Sequence, residues 1–190
     1  TALGVLSAGG CVVTLGSASF DGHELCRAVQ EHRVVQLTIV GDAFARPILD
    51  ALREAAAAGD PYDLSSLKVV VSSGVMWSKE AKEELLEWCS ATLADTLGSS
   101  EGVGMAASVA RRGSAARTAS FTLGEHARVF TEDGREVEPG SGERGLVAVG
   151  GSIPIGYYKD PEKTAATFRT FGGRVWSVPG DYALVEADGT

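Results

Sequence analysis

The sequence predicts an α/β fold, a mostly parallel sheet flanked by helices and followed by a partial, small, barrel-like β subdomain. Three observations point there. Up to about residue 100, stretches with apolar residues at helical spacing alternate with short apolar runs, the pattern of crossover units on a mostly parallel sheet. After residue 120 the texture changes to short β-like runs broken by turns, and helical periodicity fades. Between the two lies a glycine- and serine-rich corner, residues 97–104, directly after a strand-like run and therefore where an open parallel sheet holds its ligands.

Taken in order, Asp21 is placed to cap a helix whose buried face carries Leu25, Ala28 and Val29. Residues 34–40 form an apolar, strand-like run. Asp42 is expected to cap a second helix bearing Phe44, Ile48, Leu49 and Leu52, with Pro47 kinking it or confining its regular part to the residues after the proline. Gly59-Asp60-Pro61 closes that unit. Residues 67–72 read as a strand, Ser73-Gly74 as a turn, Ser78 as a cap, and Ala81, Leu85, Trp88 and Cys89 as the inward stripe of a third helix. Residues 92–97 form the next strand. Residues 111–117, with three arginines, read as a mobile surface connection. Beyond 120, residues 127–130, 146–149 and 182–185 are the strand-like runs, with turns at Asp133-Gly134 and Gly150-Gly151. Asp188-Gly189 is a hairpin signal without a returning strand, so the chain, which opens on Thr1 rather than Met, is expected either to fray there or to have been cut.

Composition narrows the function classes. The 190 residues are long enough to bury a core, and 44% hydrophobic with 22% charged residues is ordinary globular usage, which excludes disordered and collagenous classes. Seventeen Lys and Arg against 25 Asp and Glu leave a net charge of −8, so no nucleic-acid partner is expected, because neutralising a phosphate backbone needs a surplus of basic residues. No apolar run is long enough for a transmembrane segment. The three cysteines form no CxxC pair and read as reduced, buried thiols, which suggests the cytoplasm. The three histidines lack ligand-like spacing, so no zinc site is expected.

Three chemistries overlap at the corner. Gly98-x-Ser100-x-Gly102 matches a hydrolase nucleophile elbow, which needs an acid and then a histidine downstream. His126 is the sole histidine after Ser100, and Glu125 beside it is poorly placed to orient its ring. Gly102-x-Gly104-x-x-Ala107 matches a dinucleotide fingerprint with Glu125 for the ribose, provided a helix opens there. The third pattern takes Ser99, Ser100 and Glu101 as a polar cluster in which hydroxyls hold a phosphate and a carboxylate holds Mg2+. A fourth, plainer reading is a Gly/Ser turn whose Glu101 faces solvent.

Further stretches bear on that choice. Residues 145–151 (GLVAVGG), 156–168 (GYYKDPEKTAATF) and 176–181 (WSVPGD) resemble consecutive core motifs of the adenylate-forming superfamily, the acyl-CoA synthetases. The corner 97–102 (LGSSEG) is similar to that family's aromatic-Gly-x-Thr-Glu motif, and Ser73-Gly74-Val75 stands where the family has its adenine-cradling loop. The motifs keep the family's order, and the long-chain and steroid side-chain fatty-acyl-CoA synthetases are the most similar branch.

The resemblance implies a ligase that joins a fatty or steroid side-chain carboxylate to the α-phosphate of ATP, releasing pyrophosphate, and then passes the acyl group to the thiol of coenzyme A. It implies that Glu101 holds Mg2+, that Ser100 donates its hydroxyl to the α-phosphate, and that Asp181 accepts from both ribose hydroxyls, as an acceptor-only carboxylate can. It also implies that Ser73, Gly74 and Val75 present backbone to adenine, with Leu97, Gly98 and Ser99 completing the nucleotide-contacting set. Leu97 replaces the family's aromatic, and Pro179 replaces a Thr or Ser beside Gly180-Asp181. Tyr157, Tyr158 and Trp176 are expected to pack rather than touch ligand, and Lys159 and Lys163 to lie on a solvated face. Val103, Gly104 and Met105 are candidate acyl-pocket residues.

The family's phosphate loop, expected before Thr1, and its lysine-bearing C-terminal lobe, expected after Thr190, are not among these residues. The resemblance thus makes the chain an internal part of the large N-terminal domain, with residues 1–120 in an α/β subdomain and 121–190 in a β-rich one. The remainder of the same synthetase chain is its expected partner, and the 190 residues alone are expected to be inactive. The alternative is a stand-alone Rossmann-like nucleotide-binding or interaction module without catalysis.

Overall fold

A computed structural model describes residues 2–190, which divide into two compact units: the chain up to Asp95 together with Val109–Ala119, and Thr96–Ser108 together with Ser120–Thr190.

The first unit contains α1 (Ala2–Ser7), α2 (Gly22–His32), β1 (Gln36–Ile39), α3 (Gly41–Ala57), β2 (Val69–Ser73), α4 (Lys79–Trp88) and the start of β3 (Thr92–Ser99). The Asp21 carboxylate accepts from the backbone N–H groups of His23 (2.8 Å) and Glu24 (3.1 Å), satisfying two of the orphan donors that open α2. Leu25, Cys26 and Val29 form its buried face. β1 and β2 pair in parallel, Gln36 opposite Val69 through Ile39 opposite Ser72, with α3 as the crossover between them.

α3 departs from expectation at its start, and its regular part is not confined to the residues after Pro47. It begins at Gly41, two positions before the start that a cap at Asp42 implies, and the Asp42 carboxylate is not its cap: it accepts from the Ser78 N–H (2.8 Å) and hydroxyl (3.0 Å). Pro47 lies inside a continuous helix from 41 to 57. A proline there forfeits one intrahelical bond, while the face carrying Ala45, Ile48, Leu49, Ala51, Leu52 and Ala55 is buried and holds the turn in place. α2 approaches α3 closely at Gly22, where a Cβ would stand 2.2 Å from the Pro47 carbonyl oxygen.

Ser78 caps α4 through its Oγ, and Ala81, Leu85 and Cys89 face the core around a fully buried Trp77 as the spacing predicts. The same helix buries Lys82, which a binary pattern assigns to solvent. Its ammonium donates to the Asp95 carboxylate on β3 (2.8 Å) and to the Arg117 carbonyl (2.9 Å), and the two side chains are 3% and 7% exposed. This pair also corrects the expectation of a mobile connection at residues 111–117. Arg112 donates to the carbonyls of Leu86 (2.9 Å) and Glu87 (3.1 Å), the Lys79 N–H donates to Thr118 Oγ1 (2.7 Å), and Ala116 is buried. Arg112 ties the segment to the end of α4 and the Arg117 carbonyl closes over Lys82, while the three arginines stay exposed as a surface segment's should.

The second unit continues β3 and adds β4 (Gly102–Ala110, its first seven residues here), β5 (Thr122–Leu123), β6 (Ala127–Phe130), β7 (Arg144–Val149), α5 (Pro161–Thr167), β8 (Phe168–Phe171), β9 (Arg174–Ser177) and β10 (Tyr182–Leu184). One five-stranded sheet runs β1-β2-β3-β4-β5, parallel between β1 and β2 and antiparallel between β4 and β5, so it is mixed. The other runs β10-β7-β9-β8, with β6 also on β7, and these strands pair antiparallel. The α/β class and the β-rich second half are those the periodicities predict; α5 is a helix in a region whose periodicity suggested none. Met105, Val129, Val137, Val147, Val149 and Val185 form one core cluster, and Phe130, Leu146, Ala148, Phe171 and Val178 another.

No described helix is long and apolar enough to cross a membrane. All three cysteines are free; Cys26 and Cys89 are buried, burial pushing the Cys26 thiol up to about 12, whereas Cys11 is exposed, contrary to expectation, because it lies in an irregular segment.

Removing one partner of a buried pair strands the other charge, so Asp95→Ala is expected to cost about 3–5 kcal/mol of unfolding free energy in a urea titration. The double change Lys82→Met with Asp95→Leu should recover most of it; recovery of none would show that the pair's covering segment, not its charge balance, sets the cost.

Candidate functional site

The adenine-loop candidate lies in the first unit. β2 ends at Ser73, Gly74 turns the chain at φ 91°, and Val75 and Met76 project into solvent, 53% and 60% exposed. Three bonds fix this loop from the start of α3. The Gly41 N–H donates to Ser72 Oγ (2.9 Å), the Asp42 N–H to the Met76 carbonyl (3.1 Å), and Ser78 to the Asp42 carboxylate. Gly41, at φ 50°, has no room for a side chain, since a Cβ would stand 2.4 Å from the Met76 oxygen. Gly41 and Asp42 therefore support Ser73-Gly74-Val75, a role hidden behind the capping signal of Asp42.

The corner lies in the second unit, and its local structure decides among the sequence patterns. β3 runs on to Ser99, the chain reverses at Ser100-Glu101, and Gly102 opens β4. The dinucleotide fingerprint needs a helix N-terminus at residues 102–107, and the hydrolase elbow needs a helix after Ser100. Residues 102–110 are a strand, so neither pattern has its supporting element. At the start of the strand Gly102 packs without a side chain: a Cβ would stand 2.2 Å from Val149 Cγ1 on β7. A second close approach fixes the far end of this segment, where the Gly124 N–H donates to the Met105 carbonyl (2.8 Å).

Within the corner, Leu97 packs against the Met105 and Val149 core cluster, and Gly98 and Ser100 are exposed. The Tyr157 hydroxyl donates to Glu101 Oε1 at 2.6 Å across 56 residues of sequence. That bond, followed by the residue's own backbone amide, the nearby Ser99 hydroxyl and the Lys163 charge, holds the Glu101 carboxyl below its ordinary value and so keeps it anionic. Ser99 Oγ is buried without a partner in hydrogen-bond geometry among the described residues, so it acts on Glu101 as a nearby dipole. Ser177 Oγ is likewise buried and unpartnered, beside Gly102.

Asp181 belongs to the same unit. It is exposed, follows Gly180 at φ 114°, and its carbonyl accepts from the Val147 N–H (2.8 Å), which ties it to β7 at the foot of β10. Tyr158 is 87% exposed rather than packed. Trp176 packs edge-on against Phe130 and donates to the Phe171 carbonyl (3.3 Å), as expected of a structural aromatic. Of the acyl-pocket candidates, Met105 is fully buried whereas Val103 is 80% exposed.

The donor set suits Mg2+ carried by phosphates. Such a hard cation takes one or two protein carboxylates and completes its shell with phosphate oxygens and water. Glu101 offers a hard, anionic oxygen, hydroxyls flank it, and no cluster of three or more His, Cys, Asp or Glu among the described residues could hold an ion alone.

Residues 1–158 match the family model described as AMP-binding enzyme. The chain belongs to the AMP-binding enzyme family. Among curated relatives, it is 44% identical over 187 residues, 97% of its length, to a medium/long-chain-fatty-acid–CoA/3-oxocholest-4-en-26-oate–CoA ligase of Mycolicibacterium smegmatis, of which it covers 34%. It is 45% identical over 177 residues, 90% of its length, to a 3-oxocholest-4-en-26-oate–CoA ligase of Rhodococcus rhodochrous, covering 31%. The chain thus spans about a third of the length of the curated relatives it matches. Among solved structures, the nonribosomal peptide synthetase FmoA3 superposes over 98% of this chain and 20% of its own, with a TM-score of 0.80 at 19% identity, a likeness of fold.

The fit at Gly102 is a structural requirement of this AMP-binding family member's corner. Gly102→Ala forces Val149, 3% exposed, to move, and is expected to lower unfolding free energy by about 1–3 kcal/mol, the usual cost of overpacking. Denaturant unfolding of the variant checks this; an unchanged midpoint would mean that β7 yields freely.

Proposed function

We propose that these residues are the central part of an AMP-forming fatty-acyl-CoA ligase, with residues 1–120 and 121–190 as parts of two subdomains of one larger adenylation domain. The substrates are ATP, a fatty or steroid side-chain carboxylate and coenzyme A. The catalytic partner of this segment is the remainder of the same chain, and the working compartment is the cytoplasm. In the first half-reaction a carboxylate oxygen attacks the α-phosphorus of ATP and the bond to pyrophosphate breaks; in the second, the thiol sulfur takes the acyl carbon and AMP leaves.

The observation that carries this reading is Glu101 at the reversal between β3 and β4, kept anionic by Tyr157 beside the exposed Ser100 hydroxyl. Bound at Glu101, Mg2+ would neutralise charge that builds on the departing pyrophosphate. The residues of the chain do the rest. Ser100 donates a hydrogen bond to an α-phosphate oxygen, and Ser99 and Gly98 shape the backbone beside it. Asp181 accepts from the two ribose hydroxyls, and its exposure leaves the carboxylate available to a diol. Ser73, Gly74 and Val75 present backbone to adenine, and Gly74, whose nearest neighbour at the Cβ position is Val40 Cγ1 at 3.8 Å, permits close approach. Leu97 offers that nucleotide an aliphatic contact where the family places an aromatic. The activities for which the two CoA ligases above are named, at 44% and 45% identity, support the acyl class.

Two substitutions in the full-length ligase test these roles. Asp181→Ala removes two charge-assisted hydrogen bonds and is expected to weaken ATP binding by about tenfold or more, at ~1.4 kcal/mol per factor of ten; unchanged affinity by calorimetry would remove Asp181 from the ribose. Glu101→Gln is expected to raise the Mg2+ concentration needed for half-maximal carboxylate-dependent ATP–pyrophosphate exchange, and a superimposable Mg2+ titration would exclude Glu101 as a ligand.

A further inference from the structure

Tyr157 stands in the stretch of residues 156–168 and is expected from the sequence to pack rather than to meet a site residue. Its hydroxyl is instead spent on Glu101, at 2.6 Å. The rest of the stretch reads as a holder for that hydroxyl. The Tyr157 N–H donates to Thr164 Oγ1 (2.9 Å), and Thr164 Oγ1 donates in turn to the Asp160 carbonyl (2.6 Å). The Asp160 carboxylate accepts from the Lys163 N–H (2.9 Å), which fixes the first turn of α5. Gly156 precedes Tyr157 at φ 149°, and a Cβ there would stand 2.6 Å from Thr164 Cγ2, so the tyrosine backbone is pressed against the helix. Lys163 lies over the Tyr157 ring, 4.1 Å from its centroid, and Phe168 packs at 5.9 Å on the ring.

The chemistry of this arrangement is selective. A lysine or arginine bonded directly to Glu101 would compete with a metal for its charge. A phenol is a neutral donor: it fixes one oxygen and leaves the carboxylate its full negative charge, as the outer partners of metal-binding side chains do. The nearby cation is placed to the same end, since Lys163 makes its close contact with the ring face and acts on Glu101 only from a distance.

We propose that Tyr157 is the positioning residue for Glu101, its hydroxyl fixing one carboxylate oxygen so that the other is presented to a divalent cation carried by nucleotide phosphates. The motif from Gly156 to Thr164 is the scaffold that aims it. This rests on the reading of Glu101 as a metal ligand, and the test separates the two.

In the full-length ligase, Mg2+ is titrated calorimetrically into protein saturated with AMP-PNP, and kcat and KM are measured for the carboxylate. Tyr157→Phe keeps the ring and its contacts with Lys163 and Phe168 while deleting the hydroxyl. It is expected to raise half-saturating Mg2+ about three- to tenfold, the range for one ordinary hydrogen bond. It should lower kcat with the carboxylate KM unmoved, and add nothing further in a Glu101→Gln background. Thr164→Val, which frees the Tyr157 backbone, is expected to shift Mg2+ in the same direction, and Tyr158→Phe to leave it in place. If Glu101→Gln shifts the Mg2+ titration and Tyr157→Phe does not, or if the two effects simply add, the positioning role is overturned while the metal reading stands. If Glu101→Gln itself produces no shift, the metal reading falls and this inference falls with it.

Discussion

Residue 102 has no space for a side chain, and the corner of the second unit depends on that constraint. With Val149 Cγ1 at 2.2 Å from where a Cβ would be, glycine lets β4 lie against β7 without displacing that side chain. Because β4 can start there, β3 continues to Ser99 and the chain must reverse over two residues, Ser100 and Glu101. Those two are consequently held at the tip of a hairpin whose far side is anchored in a valine-rich cluster of buried side chains. A carboxylate at such a tip is partly exposed and yet well fixed, which is what transient metal and phosphate binding asks of it.

The glycine also explains why three chemical patterns could coexist in one short segment. Glycines at 98, 102 and 104 satisfy an elbow, a dinucleotide fingerprint and a phosphate-binding turn equally well as strings, because each uses glycine for close backbone approach. They differ in the element that comes next, helix or strand, and that is settled by burial. Met105 and Ala106 are buried in succession within β4, and Gly124 packs on the Gly104 backbone, so the segment is committed to a sheet. A helix would withdraw these residues from their partners.

The first unit shows the converse, a buried charge where the pattern promised a surface one. Lys82 occurs on α4 among Glu80, Glu83 and Glu84 and reads as one more solvated side chain. Its ion pair is with Asp95, thirteen residues on, and its carbonyl partner is Arg117, thirty-five residues on. No local window contains all three. The same limit hid the supports of the adenine-loop candidate, where Asp42 has the sequence signature of a helix cap and the geometry of a clamp on Ser78. Asp42 keeps a local ion pair with Arg46 on one carboxylate oxygen and holds Ser78 with the other, whereas Lys82 is held by partners that are both distant in sequence.

The amino-acid sequence by itself determined the alternation of helix and strand in the first half, the caps at Asp21 and Ser78, the β-rich second half, and the motif residues Ser73, Gly74, Ser100, Glu101 and Asp181 as candidates. These arise from periods of 3.6 and 2 and from short-range chemistry, which are properties of neighbouring residues. Tertiary structure alone decided which glycine is tightly packed at the corner, where Lys82 and Asp42 bond, and where the Tyr157 hydroxyl goes. A hydrogen bond spanning 56 residues leaves no trace in spacing, and an aromatic side chain looks the same in sequence whether its hydroxyl meets water or a carboxylate. The physical reason is common to all three: the energy of each contact depends on desolvation and distance, and both are set only when remote segments pack.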